Sequence, residues 1–414
     1  MFCNCEPVSR NETSVTCFIF NPLDPNDKVW SAFSHIDDAV VSLTLTSRYS
    51  MQLEFLPVAA FQYLPYLQTI TVQEGKLGSL ESGAVSNMTH LNRLLLERNE
   101  ITSLQPYSIA HLPKLKKLIL SENYLSEILA NCMVDLMELE ELYLDRNNIS
   151  RIETCAFCSM HSLKELVLWG NMLTDLTESM FRGLRYLARI DLYRNHLRVI
   201  SSRVFQGLPR LKEIYLKENV LEYISDQAFY GLPNLLSLQL NDNRLKTLPG
   251  TVFKYPKKLM TVDVSSNLLE TLQEDVVLNM ANVKSDFFSL RFERNPLKCG
   301  CDLLWISRYV RRVKTKSVFV RELGQTKCQT SEGTWEIAHL LNLTDCDLRT
   351  ETIVTLTSGS MWTIEPNSST TQVPKIAASE KNDDDNEGFR TTSYFGLYFL
   401  TAVLSLFVYF EMDI

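Results

Sequence analysis

The sequence predicts an α/β solenoid whose coils share one parallel β-sheet, and three periodic columns predict it. Asparagine recurs every 24 residues at Asn99, Asn123, Asn147, Asn171, Asn195, Asn219, Asn243 and Asn267. Leucine recurs around each asparagine in the frame L-x-x-L-x-L-x-x-N-x-L: Leu115, Leu118, Leu120, Asn123 and Leu125, then Leu139, Leu142, Leu144, Asn147 and Ile149. A third column keeps the same clock: Phe61, Val85, Ile109, Met133, Phe157, Phe181, Phe205, Phe229, Phe253 and Val277. A fixed period of this length marks a stack of small units, none of which can bury its apolar face alone.

Each column has a physical reason. The Leu-x-Leu step alternates with a period of two, so it reads as a short strand with both leucines on one face. Stacked strands then make a continuous buried face. The chain must turn sharply after each strand, which would leave backbone donors buried and unpaired. The asparagine amide can bond those groups and those of the next coil. The Phe column fills the opposite, convex wall, where a buried Phe or Leu contributes roughly 1.5–3 kcal/mol. The ladder decays at its start, where Arg48 and Gly75 take the asparagine position, and ends at Asn295, 28 residues after Asn267. About eleven units fit between Val41 and Leu297.

The frame resembles the leucine-rich repeat in its extracellular 24-residue form, the form of cell-surface proteins such as connectin, chaoptin and Slit-type modules. The resemblance covers roughly residues 3–346. It implies a horseshoe with the parallel sheet on its concave face and disulfide-bonded terminal caps. The run from Asn295 to Trp305, with Cys299 and Cys301 followed by Cys328 and Cys346, resembles the C-terminal cap of that family. The cap motif implies bridges Cys299–Cys328 and Cys301–Cys346; four cysteines in a zinc site is the competing reading. At the N-terminus Cys3, Cys5 and Cys17 match the family cap incompletely. Met1 runs straight into that cap without a signal peptide, so the expectation is a chain lacking its true N-terminus, with a cysteine partner upstream. A cytosolic protein with reduced thiols is the alternative.

Inside the solenoid Cys155 and Cys158 straddle Phe157, and Cys132 lies one position before the convex column of the preceding coil. This places Cys132 within bridging reach of Cys155 or Cys158, against three buried thiols acting as small apolar residues. Five sequons, at Asn11, Asn87, Asn148, Asn342 and Asn367, agree with secretion. None falls on a strand position that points out of the sheet.

The expected domains are an N-terminal cysteine cap at 1–40, the solenoid at 41–294, a C-terminal cap at 295–346, a disordered polar and acidic stalk at 347–393 and an apolar tail at 394–410. The stalk is rich in Thr and Ser and then acidic at Asp383, Asp384 and Asp385. Seventeen apolar residues of helix reach about 25 Å, short of the roughly 30 Å hydrocarbon core. The only nearby base, Arg390, lies before the tail, while Glu411 and Asp413 follow it, the reverse of the positive-inside rule. A polar spacer and terminal apolar tail instead resemble a signal for a glycosylphosphatidylinositol (GPI) anchor, with Asn382 and Asn386 as candidate attachment residues. A single-pass span and a secreted form are the alternatives.

The net charge of −8 on 414 residues argues against nucleic acid as a partner. No cofactor or metal motif is present in the sequence. The six histidines, His35, His90, His111, His161, His196 and His339, form no H-E-x-x-H pair, and no nucleophile elbow or phosphate loop occurs, so no enzyme is expected.

Binding is the expectation. Strand residues between the leucines face the concave side, and Leu95, Ile119, Tyr143, Val167, Trp169, Tyr193 and Tyr215 form a patch across consecutive coils. Charges border it, among them Arg146, Arg189 and Arg194. Aromatics with an arginine rim are the composition of an interface centre. Strands also favour aromatics for their own packing, yet later coils carry Gln239, Asn241, Asp263 and Ser265 at the same positions. A second candidate is the basic run Arg308, Arg311, Arg312, Lys314 and Lys316, which offers either a heparan sulfate site or a solvated helix face. The function expected is adhesion or cell–cell recognition at the extracellular face of the plasma membrane, through a protein or glycan ligand or a second copy of the chain. An innate-immune pattern-recognition protein or co-receptor and a secreted matrix scaffold are the alternatives.

Overall fold

Residues 1–36, 39–47, 53–312, 317–330 and 333–336 are described by a computed structural model of the chain. Their backbone is dominated by one 13-stranded sheet. Its first two strands, β1 (Phe2–Ser9) and β2 (Glu12–Ile19), form an antiparallel hairpin. The other eleven strands come one from each coil and run parallel. They are β3 (Ala39–Ser47), β4 (Thr69–Gln73), β5 (Arg93–Leu95), β6 (Lys117–Ile119), β7 (Glu141–Tyr143), β8 (Glu165–Val167), β9 (Arg189–Asp191), β10 (Glu213–Tyr215), β11 (Ser237–Gln239), β12 (Thr261–Asp263) and β13 (Ser289–Arg291). Register is set by the repeat: Leu118 stands opposite Leu142, Leu142 opposite Leu166 and Leu166 opposite Ile190.

The leucine columns are buried throughout, and so is the convex column. On that side Phe181, Phe205, Phe229 and Phe253 stack ring on ring at 5.8, 6.4 and 6.2 Å between centroids. The four residues inserted before Asn295 fall between Val277 and Leu290, so the convex clock is undisturbed and the strand ladder resumes at β13.

The asparagine column holds the turns. Asn195 donates from Nδ2 to the carbonyls of Leu168, Leu192 and Tyr193 at 3.0, 3.2 and 3.4 Å, and its Oδ1 accepts from the Leu173 amide at 3.1 Å. Asn123, Asn147, Asn171, Asn219, Asn243 and Asn267 repeat this pattern. The amide therefore reaches back to the preceding coil, not forward to the next one, while also closing its own turn. Gly75, at the asparagine position of an early coil, is explained by the same geometry. Its amide donates to Asn99 Oδ1 at 3.0 Å, and a Cβ there would sit 2.8 Å from that oxygen.

Both ends of the core are covered. At the N-terminus Trp30 is buried against Phe33 and Phe55, and Cys3 and Cys17 are bridged directly across β1 and β2. Cys5 is exposed with a free thiol. At the C-terminus two helices, α1 (Leu304–Arg312) and α2 (Val318–Gln325), lie over the last coil. Trp305 donates to the Leu272 carbonyl at 2.7 Å, and Phe319 packs edge-on against Phe288. Glu322 accepts from the Leu290 amide and the Ser289 hydroxyl, so a carboxylate covers the open edge of β13.

Cys299 and Cys328 are bridged, which leaves neither as a thiolate for a metal. Cys301 is also disulfide-bonded, and Cys346 lies outside the described residues. The expected bridge from Cys132 to Cys155 or Cys158 is not formed. Cys155 and Cys158 are bridged to each other, their Cα atoms 4.6 Å apart across one tight turn. Cys132 faces the core, where its thiol donates to the Leu129 carbonyl and burial pushes its pKa up to about 11. It belongs with the apolar core residues.

Replacing Asn195 with Ala strips partners from three buried backbone groups and one part-buried carbonyl, each buried group worth about 1–3 kcal/mol when orphaned. Asn195→Ala should lower unfolding free energy by about 3 kcal/mol or more in urea titrations. Asn195→Asp should cost at least as much, because it turns lone pairs toward three carbonyls. A loss below about 1 kcal/mol in either variant would mean that water replaces the amide.

Candidate ligand-binding face

The concave face is built from three strand columns. Ile119, Tyr143, Val167, Asp191 and Tyr215 lie in register on β6 to β10. Leu95, Ile119, Tyr143, Trp169, Tyr193 and Tyr215 keep part of their surface open. Val167 does not: it is 5% exposed, in register beside the larger Tyr143. The apolar patch expected across seven residues is therefore open at six of them: Leu95, Ile119 and Tyr143 stay adjacent in register, and Val167 is withdrawn beside Tyr143.

The aromatic group is polar at its edges. The rings of Trp169 and Tyr193 lie 5.8 Å apart. Arg146 sits over Trp169 at 4.8 Å and Lys217 over Tyr193 at 5.7 Å, so two cations bracket the pair. Arg189 covers Tyr215 at 4.7 Å, and Lys117 covers Tyr143 at 4.6 Å. Each tyrosine hydroxyl donates to a carboxylate: Tyr143 to Glu141 and Glu165, Tyr193 to Glu218, Tyr215 to Glu213. Burial, with those carboxylates beside it, pushes the Tyr143 hydroxyl well above the usual tyrosine range. Burial also raises the Asp191 carboxyl.

Arg146 and Arg194, expected among the bordering charges, belong to a column not recognised as one from the sequence. The residue before each asparagine adopts a left-handed backbone, with φ of 61° at Glu74, 57° at Arg98, 55° at Glu122, 52° at Arg146, 67° at Gly170, 55° at Arg194 and 49° at Glu218. Seven coils in a row thus present this position outward at one height. Glu122 bridges Arg98 at 2.8 Å and Arg146 at 2.7 Å. Its hydrogen bond from Arg98 and the charge of Arg146 hold its carboxyl below the usual range. Arg194 faces Glu218 at 3.8 Å. The signal was present in the sequence as alternating charge one place before the asparagines.

The remaining candidates are placed as follows. Asn11, Asn87 and Asn148 are exposed. Asn342, Asn367, Asn382 and Asn386 lie outside the described residues, as do Lys314, Lys316 and the apolar tail. Of the basic run, Arg308 is engaged with Glu274 at 3.3 Å, and Arg311 and Arg312 fall within α1. Among the described residues no helix is long and apolar enough to cross a membrane, and no cluster of His, Cys, Asp and Glu is placed to hold a metal.

The leucine rich repeat family model matches residues 65–125, 89–149, 137–197, 185–245 and 233–285, more than half of the chain. The chain belongs to the leucine-rich repeat family. No curated protein matches it by sequence. Among solved structures, this leucine-rich repeat protein is similar to one in the octameric complex of Latrophilin 3, Unc5D and the leucine-rich repeats of FLRT2. The TM-score there is 0.57 at 21% identity, over 76% of this chain and 89% of that one. A second likeness is to the Drosophila Toll–Spatzle complex, with TM-score 0.57 at 21% identity over 74% of this chain and 45% of that one. A third is to the TLR13–ssRNA13 complex, with TM-score 0.50 at 21% identity over 78% and 51%. The chain thus spans about half or less of the latter two. At these identities the likeness establishes the solenoid alone.

The depressed Glu122 titration gives a pH signature. A carboxyl lowered on folding stabilises above its unfolded pKa, and that contribution fades as pH falls through the folded value. Glu122→Gln should lower Tm by roughly 1–2 °C at pH 7. The gap should close below about pH 4 in paired thermal scans. A gap independent of pH would mean that the side chain acts through packing.

Proposed function

We propose that this leucine-rich repeat protein is an extracellular recognition protein that binds a protein ligand on its concave face, in adhesion or cell–cell recognition. It acts by binding and not by catalysis. The observation that carries this reading is the Trp169–Tyr193 pair, half-open on the sheet and bracketed by Arg146 and Lys217. Aromatic rings held flat by cations lose little conformational freedom when a partner covers them. Bridged cysteines at Cys3–Cys17 and Cys299–Cys328 support an oxidising, extracellular setting. Protein partners also accompany the FLRT2 and Toll solenoids in the complexes named above.

The test is a soluble ectodomain titrated onto cells that bind it. The double variant Trp169→Ala, Tyr193→Ala should lose at least about tenfold in affinity, with Tm close to the parent. Unchanged binding would rule out this face as the contact.

We further propose that the segment 394–410 is a signal removed when a GPI anchor is joined to Asn382 or Asn386, and that this anchor tethers the protein. Phosphatidylinositol-specific phospholipase C should then release it from intact cells. Retention after treatment, with extraction only by detergent, would instead indicate a spanning segment.

A further inference from the structure

Between Glu74 and Glu218 the rim column alternates in charge with one gap; beyond Glu218 it continues as Asp242, Ser266 and Arg294. From coil to coil it reads Glu74, Arg98, Glu122, Arg146, Gly170, Arg194 and Glu218. Signs alternate through Arg146 and resume in phase at Arg194, so the missing member, at Gly170, is negative. Glycine is not demanded there by the backbone. Its φ of +67° is close to the values that Glu, Arg and Asp adopt at the same position in other coils. A Cβ would meet only Arg146, its Cγ 3.4 Å away.

The chain itself shows what belongs in such a gap. Arg98 and Arg146 are two coils apart, and the Glu122 carboxylate of the coil between them bridges both at 2.8 and 2.7 Å. Arg146 and Arg194 repeat that spacing, about 10 Å at the inter-strand distance, with no carboxylate from the coil between them. Each arginine is served from one side only: Arg146 by Glu122 and Asp145, Arg194 by Glu218 at 3.8 Å. Their side chains are 47% and 67% exposed. Immediately beside the gap lie the rings of Trp169 and Tyr193.

We infer that the gap at Gly170 is a docking slot for an aspartate or glutamate side chain of a protein partner, which completes the Arg98–Glu122–Arg146–Arg194–Glu218 ion ladder between Arg146 and Arg194. Apolar or aromatic neighbours of that acid lie on Trp169 and Tyr193. The inference rests on the concave-face reading and adds the chemistry of the partner to it. A carboxylate fits the slot because a planar anion can bridge two arginines, as Glu122 does with Arg98 on both oxygens and Arg146 on Oε1.

The probe is a pair of fluorescein-labelled decapeptides, one with a central Phe-Glu-Phe and one with Phe-Gln-Phe, titrated against the purified full chain by fluorescence polarisation. The acidic peptide should bind at least about tenfold more tightly at low salt. Gly170→Glu fills the slot from within and should abolish that preference. Gly170→Ala, which adds bulk without charge, should keep it, and Arg194→Gln should reduce it. Equal affinity for the two peptides, no binding of either, or a preference that survives Gly170→Glu overturns the proposal. So does a heparin hexasaccharide that binds the parent but not Gly170→Glu while the peptides go undistinguished, which would assign the slot to a sulfated glycan. Should Gly170→Glu fail to fold, Arg194→Gln against Gly170→Ala decides the matter alone. Cell binding that survives Gly170→Glu but not the Trp169, Tyr193 double variant removes the slot and leaves the concave-face reading standing.

Discussion

One side-chain amide per coil makes the rest of this molecule possible. Strands of three residues provide too few ladder bonds to hold a sheet, and each is followed by a turn that buries its own carbonyls. The asparagine at that turn satisfies both the turn and the coil before it, with Nδ2 on the carbonyls and Oδ1 on an amide. Only a primary amide offers donors and an acceptor from one planar group. Buried at 0–9% exposure from Asn99 to Asn295, these groups work where unmade bonds are most costly. Coil-to-coil register is thereby fixed by hydrogen bonds as well as by leucine packing.

That register has a consequence on the outer surface. Because each coil repeats the last, any residue type placed at one position becomes a column. On the convex wall the column is a phenylalanine stack. Before the asparagines it is a row of left-handed residues, a conformation that costs L-residues roughly 1–2 kcal/mol each. The turn requires it, and the asparagine network maintains it. The row also turns its side chains outward at one height, which brings charges 24 residues apart into ion-pair distance.

Much of the fold was legible in the sequence because it rests on period. Leucine, asparagine and phenylalanine columns follow from counting, and the Cys299-x-Cys301 run marks the end of the stack. What counting misses are contacts that depend on side-chain size and reach. Val167 sits at an outward position but is covered beside its larger register neighbour Tyr143. Cys155 reaches Cys158 because a tight turn closes between them, and Cys132 is turned into the core. The aromatics were visible as a patch, yet their cations come from adjacent coils, and their carboxylates come partly from the same strand, as Glu141 and Glu213, and partly from the next coil, as Glu165 and Glu218.

The same stacking would let the proposed concave face recognise a partner without rearranging. Trp169 and Tyr193 are held by strand register from below and by Arg146 and Lys217 from the sides, so little entropy remains to be lost when they are covered. The arginines at the rim are already desolvated in part and aligned by Glu122 and Glu218. Selectivity then comes from what the column lacks. A ladder complete from Glu74 to Glu218 would present alternating charges that cancel, whereas the missing anion at Gly170 leaves Arg146 and Arg194 paired on their outer sides only, beside the Trp169 and Tyr193 rings. In the proposed slot, selectivity would come from omitting a single side chain from a stretch, Glu74 to Glu218, that is otherwise regular.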